Sequence, residues 1–290
     1  MIKTGRIIKG VGGLYTVDVG EKTYACKAKG LFRLDKQSPL VGDFVDLEVI
    51  DEKEQEGVIS HIHPRKNQLL RPKITNVDQN VLVFTLVDPV ANFDFLDRIS
   101  ILTHAQGLEL LIVVNKMDQV PEDHPDIAYL YRVYGDLYPI IETSAMSQVG
   151  VDAVKAAVVE GITVFCGLSG VGKSSLVNLI CPAANMETGE ISHKNKKGKH
   201  TTRYTNLIKM GAGYLADSPG FSSLEFNFPK EALEGYFKEF EPYLGQCRFS
   251  NCGHISEPDC AIKPQVGERI SPERYERYVS YYENFDLKRR

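Results

Sequence analysis

The chain has 290 residues, 43% hydrophobic and 25% charged, which is enough to bury the cores of two or three domains. A formal net charge of −4 excludes a global attraction to polyanions, so a nucleic-acid surface has to be a local patch. "MIKTGRIIKGVGG" at the start lacks an apolar core of signal-peptide length, and the longest apolar run, "VLVFTLV" at 81–87, is far below the roughly 20 residues of a membrane helix. The expectation is a cytoplasmic, monomeric protein with no membrane partner.

Residues 1–70 carry short alternating runs, "GRIIKG", "LYTVDVG", "KTYACKA" and "DFVDLEVI", broken by Gly, Asp and Pro. This pattern predicts about five strands, a size suited to a small barrel of the oligonucleotide-binding (OB) kind. Residues 1–75 hold thirteen basic and ten acidic side chains, compatible with a weak local contribution to RNA affinity.

From 71 to 226 the texture changes. Apolar runs at 80–88, 108–118, 138–145 and 161–170 alternate with helical patterns, and two more runs end at "YLADSPG". Buried strands alternating with amphipathic helices predict a parallel α/β sheet covered on both faces. Residues 227–290 read as helical around a Cys/His cluster. In the final helix Ser271 is a plausible N-cap with Pro272 in the first turn, and Tyr275, Tyr278, Tyr282 and Phe285 fall on one face.

"GLSGVGKSS" comprises Gly167, Leu168, Ser169, Gly170, Val171, Gly172, Lys173, Ser174 and Ser175, between a predicted strand and a predicted helix. Glycines there let backbone N–H groups converge on a phosphate. Lys173 would reach the β- and γ-phosphates, and Ser174 would ligate Mg²⁺. "NKMD", Asn115, Lys116, Met117 and Asp118, ends a buried strand. Its aspartate can accept from both guanine N1–H and the exocyclic amine, its lysine stem would cover the purine, and Asn115 would brace the loop. "TSA" ends the next strand, so Ser144 and Ala145 fit a backbone turn toward guanine O6. "DSPG" follows another: Asp217 would hold Mg²⁺ through water and the Gly220 N–H would sense the γ-phosphate. "KGKHTTR", at 197–203, lies where a first switch belongs, and Thr201 or Thr202 would reach Mg²⁺. Its lysines read equally as a solvated loop or a contact with rRNA.

The base reader precedes the phosphate loop, a cyclic shift of the usual order. A sheet survives such a shift because domain termini commonly lie close together. The order NKMD–TSA–GLSGVGKSS–HTT–DSPG resembles the circularly permuted GTPases. With the β-rich start and the Cys/His cluster, it resembles the RsgA (YjeQ/YloQ) family of small-ribosomal-subunit-dependent GTPases over essentially the whole chain. The resemblance implies an OB-fold barrel, a circularly permuted P-loop GTPase domain and a C-terminal zinc domain. It also implies GTP hydrolysis stimulated by the 30S subunit during its late maturation, with 30S rRNA as partner.

Cys247-x4-Cys252-x-His254-x5-Cys260 offers three thiolates and one imidazole, a closed tetrahedral set for one structural Zn²⁺. The resemblance supports zinc at these four positions. Phe221 follows DSPG where many GTPases carry a water-orienting glutamine, so basal hydrolysis is expected to be slow and partner-dependent. His200 is the best local candidate to orient or deprotonate the attacking water, and the resemblance points to the same histidine. Two other classes compete: an RNA-binding protein in which guanine nucleotide is mainly structural, and a P-loop phosphotransferase. The complete phosphate motif argues against the first; NKMD and the lack of an evident acceptor pocket argue against the second.

Overall fold

The computed structural model describes residues 1–30, 32, 38–70, 72–158, 160–186, 205–217 and 224–285. The first five strands, β1 (Ile2–Val11), β2 (Leu14–Asp18), β3 (Thr23–Ala28), β4 (Phe44–Asp51) and β5 (Glu56–Ile62), close a barrel in the order β1-β2-β3-β5-β4. Alternation along these strands sends Ile7, Val17, Tyr24, Cys26, Val45, Leu47 and Ile59 inward, as the period of two requires. β3 and β5 pair in parallel, the other barrel neighbours antiparallel. A short ribbon, β6 (Gln68–Leu69) with β7 (Ile74–Thr75), leads out of the barrel.

A six-stranded sheet follows, built from β8 (Gln79–Phe84), β9 (Glu109–Val114), β10 (Ile140–Glu142), β11 (Ile162–Cys166), β12 (Leu207–Met210) and β13 (Gly213–Ala216). Its order is β10-β9-β8-β11-β13-β12. The expected parallel sheet is present except at one edge, where β12 and β13 form an antiparallel hairpin. The central strands are buried on both faces. Leu82, Phe84, Ile112 and Val114 pack under helices α1 (Phe93–Ala105) and α2 (Pro125–Tyr134), while Val81, Val83, Leu111 and Val113 face α3 (Val151–Ala157) and α4 (Lys173–Ile180).

The C-terminal region is helical mainly through 3₁₀ turns, with one α-helix, α5 (Pro272–Glu283), among the described residues. Ser271 caps α5, its hydroxyl accepting from the Arg274 N–H at 3.4 Å. The helix buries Arg274, Tyr278 and Tyr281, while Tyr275 and Tyr282 lie half-buried against the Cys/His module.

Two junctions join these parts. At the N-terminal ends of the parallel strands, barrel residue Asp18 accepts from the Tyr214 hydroxyl at 2.9 Å and faces Lys209 Nζ at 3.4 Å, so the barrel grips the β12–β13 hairpin. On the helical face, α5 docks on α1 and α2 through fully buried Arg274. Its guanidinium donates to Glu239 from Nε (2.5 Å) and Nη2 (2.9 Å), and to Asp97 from Nη1 (2.5 Å). Arg277 takes the other Asp97 oxygen at 2.8 Å, and Arg132 of α2 pairs with Glu273 at 2.6 Å. Burial alone would depress the Arg274 pKa, but Glu239 and Asp97 together raise it, and the group stays charged. Among the described residues no helix is long and apolar enough to cross a membrane.

Candidate nucleotide site and metal centre

The predicted phosphate loop turns where β11 meets α4. Gly167, Gly170 and Gly172 have φ of 153°, 86° and 84°, values that side-chain-bearing residues rarely adopt. A Cβ at Gly167 would strike the Val83 carbonyl, and one at Gly172 would strike the Asn115 amide. Leu168 and buried Val171 anchor the loop in the core, while Ser169, Gly170 and Ser175 are exposed. Lys173 and Ser174 open α4 without a side-chain cap on its first N–H groups. A helix start of that kind, next to a lysine, offers an anion unsatisfied donors and positive potential. Burial lowers the Lys173 pKa, a cost that a bound anion would offset.

Asn115 is 1% exposed at the end of β9 and joins three chain segments. Its Nδ2 donates to the Val171 carbonyl at 2.8 Å, and its Oδ1 accepts from the Ala145 N–H at 3.0 Å and the Thr143 hydroxyl at 3.2 Å. The Met117 N–H donates to the Thr143 carbonyl at 3.0 Å, and the buried Ser144 hydroxyl accepts from the Ser147 N–H at 3.1 Å. NKMD, TSA and the phosphate loop therefore meet at the C-terminal edge of adjacent parallel strands, the edge where open α/β sheets bind ligands. Lys116 has left-handed φ (64°) and its Nζ lies 3.4 Å from Asp88, whereas Asp118 is exposed to solvent.

Asp217 closes β13 at the same edge. Its Oδ1 accepts from the Asn206 N–H at 2.8 Å and its Oδ2 from Asn206 Nδ2 at 2.7 Å. His200, Thr201, Thr202 and Gly220 lie outside the described residues.

The second cluster is Cys247, Cys252, His254 and Cys260, whose ligand atoms all lie within 4.8 Å of one another. His254 Nδ1 is 3.5, 3.5 and 3.4 Å from the sulfurs of Cys247, Cys252 and Cys260, and the Cys247 and Cys260 sulfurs are 4.0 Å apart. A tetrahedral zinc, with Zn–S of about 2.3 Å and Zn–N of about 2.0–2.1 Å, requires N···S edges of about 3.5 Å and S···S edges of about 3.8 Å. The donor set fits that ion in chemistry, and the His254 edges and the Cys247–Cys260 edge fit it in size. Burial pushes the Cys252 thiol up to about 12.

Several side chains at these sites escaped the sequence reading. Asn206 precedes an ordinary apolar strand and carries no motif. Glu234 lies twenty residues from the histidine it contacts, with nothing in the spacing to connect them. Arg274 had a detectable signal, since Arg274, Tyr278, Tyr281 and Phe285 recur at helical spacing and all are buried.

The fold and the two sites define a circularly permuted GTPase with an OB-like barrel before it and a Cys/His metal module after it. The model of the RsgA GTPase matches residues 62–227, and that of the RsgA N-terminal domain matches residues 4–59. The chain is 43% identical over 288 residues to "Small ribosomal subunit biogenesis GTPase RsgA" of Clostridium acetobutylicum, covering 98% of each chain. It is 41% identical over 279 residues to the protein of that name from Alkaliphilus metalliredigens, covering 95% of each. Among solved structures, YjeQ from Thermotoga maritima superposes with a TM-score of 0.86 at 36% identity, covering 98% of this chain and 99% of that one. YloQ, described as a circularly permuted GTPase, gives 0.85 at 34%, covering 99% and 96%. The chain belongs to the RsgA family and is a GTPase.

Proposed function

We propose that this GTPase binds the small ribosomal subunit, assists its late maturation, and hydrolyses GTP when the subunit stimulates it. The observation that carries the reading is the Asn115 hub, which holds base reader, guanine turn and phosphate loop at one sheet edge. The relatives, named as small ribosomal subunit biogenesis GTPases, support the subunit as partner.

In this reading Asp118 selects guanine, assisted by Lys116, Met117, Ser144 and Ala145, while residues 167–175 cradle the phosphates. Mg²⁺ is held by Ser174, by Thr201 or Thr202, and through water by Asp217, which Asn206 orients. Gly220 senses the γ-phosphate and His200 orients the attacking water. One Zn²⁺ sits in the Cys₃His set as a structural ion. The protein acts as a cytoplasmic monomer. Its functional divisions are 1–70 for RNA contact, 71–226 for GTP and 227–290 for the zinc module.

The connectivity suggests how nucleotide state reaches the flanking parts. The hairpin gripped by Asp18 of the barrel carries Asp217 at its other end. The segment leaving the second switch is anchored at Phe226, whose ring lies 5.6 Å from Tyr281 and 6.0 Å from Phe285. Loss of the γ-phosphate would thus be passed to the barrel through the hairpin and to the C-terminal module through Phe226, loosening the grip on rRNA.

The test is GTP and ATP turnover by the purified protein alone and with 30S subunits, 50S subunits or naked rRNA. Slow basal GTP hydrolysis raised selectively by 30S, with ATP ignored, is expected. Tight GTP binding without stimulated turnover would favour an RNA-binding protein that uses guanine nucleotide structurally.

A further inference from the structure

The four zinc donors do not by themselves explain how His254 presents Nδ1 to the sulfurs. An imidazole rotated by half a turn about its Cβ–Cγ bond would offer carbon instead. The backbone of His254 is held in left-handed conformation (φ 58°), with its carbonyl accepting from the Tyr275 hydroxyl at 2.6 Å. Those contacts place the residue but leave the ring torsion open. Among the described residues, the ring nitrogen remote from the sulfurs, Nε2, has one protein partner: the carboxylate of Glu234.

We propose that Glu234 is the positioning residue of the metal centre. Its carboxylate accepts the Nε2–H of His254, fixes the tautomer with Nδ1 free to ligate, and ties the metal to the GTPase domain. This inference rests on the zinc reading of the Cys₃His set. A carboxylate behind a ligating histidine orients the ring and makes its other nitrogen a better donor, and loss of such a partner typically weakens metal binding about 10–100-fold. His254 is 2% exposed while the Glu234 side chain is about one third exposed, so the carboxylate stands between the ring nitrogen and solvent.

The tie to the GTPase domain is physical. Glu234 belongs to the 3₁₀ turn Lys230–Tyr236, whose buried Leu233 packs in one cluster with Phe237 and with Ile101 of α1. That helix also carries Asp97, the carboxylate that faces Arg274. Metal loading therefore stiffens a turn lying directly against the helix on which the whole C-terminal module docks.

The test is zinc competition against a chromophoric chelator, using the full-length protein and its Glu234→Ala, Glu234→Gln and Glu231→Ala variants. Wild type is expected to bind one zinc per chain, and Glu234→Ala to bind it 10–100-fold more weakly. Glu234→Gln should recover much of the difference, because its amide oxygen still accepts from Nε2–H. Glu231→Ala, altered on the same turn, should match wild type. The Co²⁺-substituted proteins should share one tetrahedral absorption spectrum, since the four ligands are unchanged. Glu234→Ala within threefold of wild type would overturn the role of Glu234 and leave the zinc reading intact. Equal losses in Glu234→Ala and Glu231→Ala would also overturn it, by reducing the effect to a disturbed turn. Should Glu234→Ala not fold, Glu234→Gln decides: an affinity no better than that of His254→Ala overturns the role, because retained acceptance at Nε2 would then count for nothing. A wild-type chain that binds no zinc overturns both readings.

Discussion

The side-chain amide of Asn115 donates to the main-chain carbonyl of Val171 across 2.8 Å, joining segments 56 residues apart in the chain. Its oxygen at the same time accepts from the Ala145 N–H. One buried amide thus sets the spacing between the NKMD segment after β9, the turn at Ala145 and the loop where β11 meets α4.

Asn115→Ala should therefore weaken binding of GTP and GDP together. Stranding buried partners costs about 1–3 kcal/mol, which corresponds to a loss of roughly 5- to 150-fold if the whole cost falls on the nucleotide-competent arrangement. Stopped-flow with a fluorescent GDP would read this as faster dissociation. An unchanged off-rate would mean that the loops hold their spacing without the amide.

Gly172→Ala attacks the same contact from the other side. The residue has φ of 84°, and a Cβ there would displace the Asn115 amide. A left-handed conformation costs an ordinary residue about 1–3 kcal/mol, so affinity should fall at least about fivefold by isothermal calorimetry. The circular dichroism spectrum should stay that of the folded chain.

Removing Arg274 should damage stability far more than removing a surface charge. Both it and Asp97 are fully buried, and Arg274→Met would take from Glu239 its guanidinium partner and leave Asp97 with Arg277 alone. Breaking a buried pair on one side costs about 3–5 kcal/mol, and urea unfolding would measure it. Arg274→Lys should fail as a rescue, because a single ammonium cannot form the two-pronged contact with Glu239.

The Glu273 carboxyl is held down to about 2, first by hydrogen bonding from Arg132 and then by the Ser271 hydroxyl. Its folded pKa lies below the ordinary value of about 4.3. Its contribution to stability is therefore fully present above about pH 4.3 and is lost as pH falls toward 2. The urea midpoint of wild type should drop more between pH 5 and pH 3 than that of Glu273→Gln. Equal drops would show that the pair contributes nothing. The group is about one third exposed, so the difference will be small.

Asp18→Ala should spare GTP binding, since the residue sits at the sheet end opposite the phosphate loop. It should uncouple the barrel from the β12–β13 hairpin and slow nucleotide-dependent release from 30S subunits in a pelleting assay. Release at the wild-type rate would remove the hairpin from the coupling route.

The sequence alone determined the architecture: barrel, permuted GTPase sheet and metal module. Those signals are local and periodic. Strand alternation, the glycines of the phosphate loop and the Cys/His spacing each record a constraint satisfied within a few residues. Even the permutation was legible, because it is an order of motifs. Only the tertiary structure decided which residues join these parts. Asp97 and Arg274 are 177 residues apart, and Asp18 and Tyr214 are 196 apart. A lone charged residue on an amphipathic helix reads as solvated until a partner from another element is brought against it. The physical reason is that burial of charge is tolerated only in pairs, and pairing across domains leaves no period or spacing in either segment.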